Sequence, residues 1–245
     1  MPSDHAAIGG STISRVLRCP GSVRLAQDLP RTSSPAADRG TMLHAAMERV
    51  HAGEDPARLV GFQHTGQTLD HNDARRALLP ARAALGKFVG EMKARLEVRV
   101  VLARRVWGTA DILAYAKGLG KVGDFKFGAN KVEVAGNEQA LFYAAAALES
   151  GEMPYAARTI ELGIIQPGQR PVLQTERVKA SAVVTFGKAV KTIARVALSH
   201  DAAIVPGEKQ CEWCPVKKAN KCPAHNEARA SAKPDLAAAL MSLAR

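Results

Sequence analysis

Two carboxylates and a lysine, those of Asp111, Asp124 and Lys126, lie in segments that the sequence predicts to be neighbouring β-strands. Asp124 and Lys126 are separated by one residue, so on a β-strand their side chains point to the same face. Asp111 lies on the preceding alternating segment, where antiparallel pairing can bring it beside Asp124. Because adjacent carboxylates repel, a divalent cation is their natural partner, and a nearby ammonium can orient the water that attacks a phosphoryl group. An isolated Asp-x-Lys is usually only a surface ion pair, so its meaning depends on the other residues.

Further polar residues recur at helical spacing. His44 belongs to a segment that predicts a helix, with Glu48 one turn later on the same face. A neutral imidazole is a good ligand in a site that already holds carboxylates, although a single histidine is more commonly a capping or core residue. Gln139 and Tyr143 are four residues apart on an otherwise apolar segment, where an amide and a phenol need hydrogen-bond partners. They are candidates for contact with an active site or with a DNA phosphate.

The hydrophobic pattern predicts a sheet with helices against it. Alternation after residue 96 predicts three antiparallel strands, and a helix and two further strands follow. The expected fold class is α/β, with a mixed, mostly antiparallel central sheet flanked by helices and a C-terminal cysteine-rich segment. The predicted helices cover residues 11–17, 36–51, 73–95, 137–149, 181–200 and a short stretch from 234. The predicted strands cover residues 97–102, 106–115, 121–127, 159–166 and 172–176.

Charge and composition limit the class of protein. The chain has 245 residues, with 34 Lys and Arg against 23 Asp and Glu, and its net charge of +11 favours a polyanionic partner such as DNA. Aromatic residues make up only 4%, so contact with phosphates is a better expectation than a base-stacking platform. No apolar stretch is long enough to cross a membrane and no secretory signal is evident, so we expect a cytoplasmic protein.

Four cysteines, Cys19, Cys211, Cys214 and Cys222, predict metal or cluster ligation, because disulfides are rare in a reducing cytosol. Two arrangements are open. In the first, all four thiolates bind a 4Fe–4S cluster that joins the two ends of the chain. In the second, Cys211, Cys214, Cys222 and His225 bind zinc tetrahedrally, and Cys19 is an ordinary buried thiol.

Four short motifs occur in order along the chain. They are GTxxH at Gly40–His44, GTAD at Gly108–Asp111, DFK at Asp124–Lys126 and QxxxY at Gln139–Tyr143. Together they resemble the RecB-like branch of the PD-(D/E)XK nucleases, and the segments SRVLRCPGS and RGTMLHAAME resemble phage- and prophage-encoded members of that branch. The resemblance extends from about residue 11 to residue 225.

The resemblance implies a role for each matching residue. It implies a bound Mg²⁺ or Mn²⁺, with Glu48 and Glu97 as weaker candidates for supporting the metal ligands. The implied metal ligands are His44, Asp111, Asp124 and the backbone carbonyl of Phe125. The implied catalytic residues are Asp111, Asp124, Lys126, Gln139 and Tyr143.

The resemblance also bears on the cysteines and on function. One cysteine before the nuclease motifs and three after them is the arrangement of the helicase–nuclease AddB and of CRISPR-adaptation nucleases, which favours a structural 4Fe–4S cluster over zinc. The implied function is a metal-dependent DNA exonuclease of phage recombination or replication, placed in the host cytoplasm if phage-encoded. A single-strand-binding or annealing recombination protein is an expected partner.

Two alternatives to this function stay open: an endonuclease of the same superfamily, and a non-catalytic DNA-binding accessory protein with a zinc module. The implied domains are a nuclease core with the N-terminal cysteine at residues 1–205, a cluster-binding segment packed on the core at 206–226, and a C-terminal helix or tail at 227–245.

Overall fold

The computed structural model describes residues 6–30 and 33–226. Contacts divide them into a first unit of residues 6–13 and 33–191 and a second unit of residues 14–30 and 192–226. None of the helices in these ranges combines the length and the apolar character needed to span a membrane. The predicted helix from residue 234 and the rest of the predicted tail lie outside the described residues. The predicted boundary near residue 205 stays a prediction.

The described elements follow one another in this order. The strands are β1 (Gln63–His64), β2 (Gln67–Thr68), β3 (Arg95–Ala103), β4 (Val106–Ala116), β5 (Leu119–Phe125), β6 (Thr159–Ile165) and β7 (Leu173–Lys179). The helices are α1 (Gly10–Arg18), α2 (Ser22–Ala26), α3 (Pro35–His51), α4 (His71–Asp73), α5 (Leu79–Val89), α6 (Glu138–Glu149), α7 (Ala180–Ala197), α8 (Glu208–Glu212) and α9 (Pro215–Lys218).

A five-stranded sheet forms the centre of the first unit. Its strands lie side by side in the order β3, β4, β5, β6, β7. Neighbouring strands are antiparallel except for β5 and β6, which are parallel, so the chain returns through α6 to begin β6. The predicted fold class, a mixed and mostly antiparallel sheet with helices, is therefore confirmed.

Two helices with well-defined starts flank the sheet and carry site residues. The side chain of Ser34 accepts a hydrogen bond from the backbone N–H of Ala37 and begins α3, with a proline in the first turn. Asn137 caps α6 in the same way through the N–H of Ala140. Most of α6 is buried, since its small and apolar side chains pack closely on the sheet. The two caps fix the first turns of the helices that carry His44 and Gln139.

The structure differs from the sequence prediction between residues 57 and 95. The stretch between residues 51 and 73, where the sequence predicts no helix or strand, contains a 3₁₀ turn at Pro56–Leu59 and the β1–β2 hairpin. The helix predicted over residues 73–95 is wrong at its end: a π-helical stretch at Ala74–Leu78 leads into α5, which stops at Val89. Gly90 follows with φ +60°, a left-handed conformation that ends the helix and suits glycine.

The second unit joins the N-terminal cysteine to the cysteine-rich segment. The backbone N–H of Gly21 donates to the carbonyl of Ala203 over 2.8 Å, so residues near Cys19 run beside the chain that precedes α8. A small apolar cluster then covers two of the other thiols. Its buried members are Cys214, Val216 and Cys222, with Leu25, Ala26, Leu29, Ile204 and Ala224 packed against them.

Candidate metal centre

Three neighbouring strands each contribute one acidic residue to the same face of the sheet. Glu97 lies between β3 residues that pair on either side of Asp111, and the register of β4 with β5, continued by one residue, brings Asp111 level with Asp124. Residues directly opposite on paired strands share a face. The three carboxylates therefore form a row across the sheet, and both aspartates are buried.

His44 of α3 completes a group of potential metal ligands. Its Nδ1 lies 3.3 Å from Glu97 Oε1 and 3.5 Å from Asp111 Oδ2. The ligand atoms of these three residues all lie within 4.8 Å of one another. No other group of three His, Cys, Asp or Glu side chains meets that criterion in residues 6–30 and 33–226. One imidazole nitrogen and several carboxylate oxygens form a donor set that suits a divalent cation such as Mn²⁺ or Mg²⁺.

Asp111 and Asp124 are held differently. The backbone N–H of Phe125 donates to Asp111 Oδ2 over 2.7 Å and fixes that carboxylate between β4 and β5. Asp124 Oδ1 accepts from Gln139 Nε2 over 3.0 Å. Asp124 Oδ2 lies 2.6 Å from Lys126 Nζ, yet it is buried and receives no well-directed hydrogen bond, so we regard the contact as electrostatic. This oxygen keeps the capacity to bind a cation.

A single amide connects the lysine, the aspartate and the tyrosine. Lys126 Nζ donates to Gln139 Oε1 over 3.1 Å, while Gln139 Nε2 is shared between Asp124 and the Tyr143 hydroxyl, 3.3 Å away. The QxxxY spacing thus aligns two side chains on one face of α6 against the acidic row. Burial, together with the charge of Asp124, raises the pKa of Tyr143 well above its ordinary value, so the phenol keeps its proton.

Gly108 of the GTAD motif makes room for Tyr143. A Cβ atom at Gly108 would lie 2.9 Å from the Tyr143 ring, which is closer than side chains normally approach. A Cβ at Gly10 would meet the same ring at 2.4 Å. The glycine in the motif therefore has a steric purpose, since any larger residue would push the tyrosine away from Gln139.

Electrostatics in the row favour a cation. Burial, and then the charge of Asp124, raises the pKa of Asp111 to about 7. Burial alone would lower the pKa of His44, but its hydrogen bond to Glu97 and the charge of Asp111 outweigh that effect and raise it. Both shifts report an excess of negative charge in a poorly solvated place. A divalent ion would neutralise that charge.

Glu97 enters the ligand group through an unusual backbone conformation. Its φ is +49°, in the left-handed region that non-glycine residues rarely adopt within a strand. The resemblance implies only a supporting role for Glu97, whereas the structure brings it directly beside His44. Glu48 is exposed on α3 and is not part of the group. The carbonyl of Phe125 follows Asp124 at the end of β5, and its role as a ligand stays a prediction.

The four cysteines all belong to the second unit. Cys19 Sγ accepts a hydrogen bond from Val205 N over 3.3 Å, and Cys211 Sγ accepts one from Gly207 N over 3.4 Å. Three of the thiols are buried. No three Cys or His ligand atoms of this segment come within 4.8 Å of one another in the described residues.

The chain is similar to one family model and, more distantly, to three solved structures. A family model described as "Protein of unknown function (DUF2800)" matches residues 5–242. The crystal structure of SSO0001 is similar at 14% identity and a TM-score of 0.43, over 86% of this chain and 84% of that one. An alkaline exonuclease, LHK-Exo from Laribacter hongkongensis, is similar at 9% identity and a TM-score of 0.34, over 76% of this chain and 90% of its own. Its complex with dAMP has 10% identity and a TM-score of 0.33, with the same coverage.

Proposed function

Since the chain belongs to the DUF2800 family of proteins of unknown function, its activity must be inferred from its own residues, and we propose that it is a metal-dependent DNA nuclease. The observation that carries this proposal is the row of Glu97, Asp111 and Asp124, with His44 at one end and Lys126 at the other. The ordered motifs support the finer assignment to the RecB-like branch of the PD-(D/E)XK nucleases.

His44, Glu97 and Asp111 would hold the ion, with Asp124 Oδ2 and the carbonyl oxygen of Phe125 as further ligands. When bound, Mg²⁺ or Mn²⁺ supplies charge that stabilises the scissile phosphate and makes a water molecule more acidic. The donor set fits this role because hard oxygen ligands and one imidazole suit these ions.

Lys126 is the residue that would act on the attacking water. Its ammonium is held by the charge of Asp124 on one side and by a hydrogen bond to the Gln139 carbonyl on the other, so a further proton can point at a water or at a phosphate oxygen. The Tyr143 hydroxyl accepts from Gln139 and keeps its own proton, which it can donate to a phosphate oxygen. Gln139 is a positioning residue, since it orders both groups.

Exposed cations would bind the DNA backbone. The π-helical stretch and α5 present Arg75, Arg76, Arg82 and Lys87 to solvent, and such contacts neutralise phosphates without reading the base sequence. The net charge of +11 supports this mode of binding. We propose an exonuclease of phage recombination or replication, with a single-strand-binding or annealing protein as its partner.

A cleavage assay tests the function. Purified protein is incubated with 5′- and 3′-end-labelled linear DNA, single- or double-stranded, and with closed circular DNA, in Mn²⁺, Mg²⁺ or EDTA. We expect metal-dependent release of short products from linear DNA and little cleavage of circles. Cleavage of circles instead assigns an endonuclease. Absence of cleavage on every substrate with either metal refutes the nuclease proposal.

We propose that Cys19, Cys211, Cys214 and Cys222 bind a structural 4Fe–4S cluster. Two of the sulfurs already accept backbone N–H groups, a common environment for cluster thiolates. The segment around Cys19 also holds buried polar atoms with no hydrogen-bond partner in the described residues, which an anionic group could satisfy. They are Arg15 Nε, Ser22 Oγ and Arg24 Nε.

Replacing Cys19 with serine is expected to remove the iron and to lower the thermal stability of the second unit, because the cluster joins its two chain segments. Iron and sulfide analysis of freshly purified protein should give about four of each per wild-type chain and almost none for the variant. His225→Ala is the matched control and should keep its iron. Stoichiometric zinc that His225→Ala loses and Cys19→Ser keeps would establish the zinc site instead.

A further inference from the structure

Trp213 is an aromatic side chain left largely in solvent. It follows α8, between Cys211 and Cys214, and is 64% exposed. The second tryptophan of the chain, Trp107, is half-buried beneath the guanidinium of Arg99, 4.0 Å from its ring centre. A large aromatic ring in water forgoes the free energy of burial, which a partner that covers the ring would recover.

Several lysines lie near Trp213 in the sequence, and one of them contacts its ring. The segment 206–226 carries four lysines against two acidic residues. The ammonium of Lys218 lies 4.8 Å from the centre of the Trp213 ring. Within the part of the chain that the structure describes, none of the four lysines forms an ion pair with a carboxylate. They are Lys209, Lys217, Lys218 and Lys221.

The residues that follow Trp213 are buried or hydrogen-bonded. Its neighbour Cys214 and the nearby Val216 are buried in the apolar cluster of the second unit, and the N–H of Lys221 donates to the carbonyl of Val216 over 2.9 Å. The chain that follows the indole is therefore fixed before any ligand arrives. A partner that contacts Trp213 would lose little entropy in ordering it.

We propose that the surface around Trp213 binds single-stranded DNA, with one base stacked on the indole and neighbouring phosphates on the lysines. The bases of a duplex are already stacked, so only a single strand offers a free base face to an exposed ring. The positive charge favours a polyanion over an apolar protein surface. The choice of DNA rests on the proposed nuclease function. With few aromatic residues in the chain, the site is a single stacking position added to phosphate contacts.

Abasic DNA separates stacking from charge. Binding of the full-length protein to a labelled oligo-dT is compared, by fluorescence anisotropy in EDTA, with binding to an abasic oligomer of the same length. The wild type should bind oligo-dT about 5- to 150-fold more tightly, the range expected for one stacked base. Trp213→Ala should abolish this preference, Trp213→Phe should keep part of it, and Trp107→Phe should leave it unchanged.

The lysines should behave differently from the ring. Lys209→Gln should weaken binding to both oligomers alike and reduce the slope of log affinity against log salt by about 0.7. Circular dichroism establishes that each variant is folded. If Trp213→Ala lost structure, the comparison of Trp213→Phe with Trp107→Phe would still decide the question.

Two results would overturn the stacking site. One is a folded Trp213 variant that prefers oligo-dT over the abasic oligomer as strongly as the wild type does. The other is a wild type that binds both oligomers equally or binds neither of them. If either result is found and the wild type still cleaves DNA in a metal-dependent way, the nuclease proposal stands and the stacking site is refuted. A Trp213-dependent preference without cleavage by the wild type keeps the inference and removes the nuclease.

Discussion

Replacing Lys126 with alanine is expected to slow phosphodiester cleavage by about 10²- to 10⁴-fold, the range for losing a positioned proton donor or charge in a poorly solvated site. The ammonium is held between Asp124 and Gln139, and no other lysine has that arrangement in the residues described. Single-turnover rates on saturating end-labelled DNA measure the effect on the chemical step alone. The Mn²⁺-induced rise in melting temperature should persist in the variant, since Lys126 is not a ligand.

Lys131→Ala is the matched control. Lys131 lies five residues away, is exposed and pairs only with the exposed Glu133. Its loss removes one positive charge without touching the acidic row, so the rate should stay within a factor of about 2 of the wild type. Equal rates for Lys126→Ala and the wild type would show that the lysine has no part in the reaction.

Replacing Asp111 with asparagine is expected to stabilise the metal-free protein while abolishing its response to metal. The burial of Asp111 and the charge of Asp124 make its ionised form costly in the folded state. An asparagine oxygen can still accept the hydrogen bond from Phe125 N without carrying that charge. Sites built for a cation are commonly less stable when the cation is absent.

The pH dependence follows from the sign of the shift. The pKa of Asp111 is about 7 in the folded protein against an ordinary 3.8, so the folded state binds the proton more tightly. The free energy of unfolding of the metal-free wild type should therefore fall as pH rises from about 4 to about 7. The Asp111→Asn variant does not show this fall. Above pH 7 we therefore expect its free energy of unfolding to exceed that of the metal-free wild type by an amount on the order of 1–3 kcal/mol.

Urea unfolding in EDTA at several pH values measures this gain. Glu133→Gln, a change at an exposed carboxylate, should have almost no effect on the same curves. Adding Mn²⁺ should stabilise the wild type and leave Asp111→Asn unchanged. A less stable Asp111→Asn protein at every pH would show that the acidic row is a structural network satisfied without a cation.

The sequence predicts part of the site because strand and helix periods are short and regular. Asp124 and Lys126 share a face because strands alternate, and Gln139 and Tyr143 share one because helices repeat near every fourth residue. Alternation on both sides of a glycine-rich turn also predicts that Asp111 pairs with Asp124. These inferences need only local rules and one antiparallel pairing, and the observed register agrees with them.

The position of Glu97 beside His44 could not be predicted from the sequence. Its place beside His44 depends on the register of β3 with β4 and on a positive φ that no local preference of glutamate indicates. The end of α5 at Val89 cannot be predicted from the sequence for a related reason, since the apolar pattern continues past Gly90 while the backbone turns. The hydrogen bond from Val205 N to Cys19 Sγ likewise depends on packing between segments 186 residues apart.

Anomalous diffraction from crystals of the protein soaked with MnCl₂ would locate the metal directly. We expect a strong manganese peak bound by His44 Nδ1, Glu97 and Asp111, next to Asp124 Oδ2 and within reach of a water on Lys126. Crystals in which these four side chains are ordered but bear no manganese, or carry it only elsewhere, would show that the acidic row is not a metal centre.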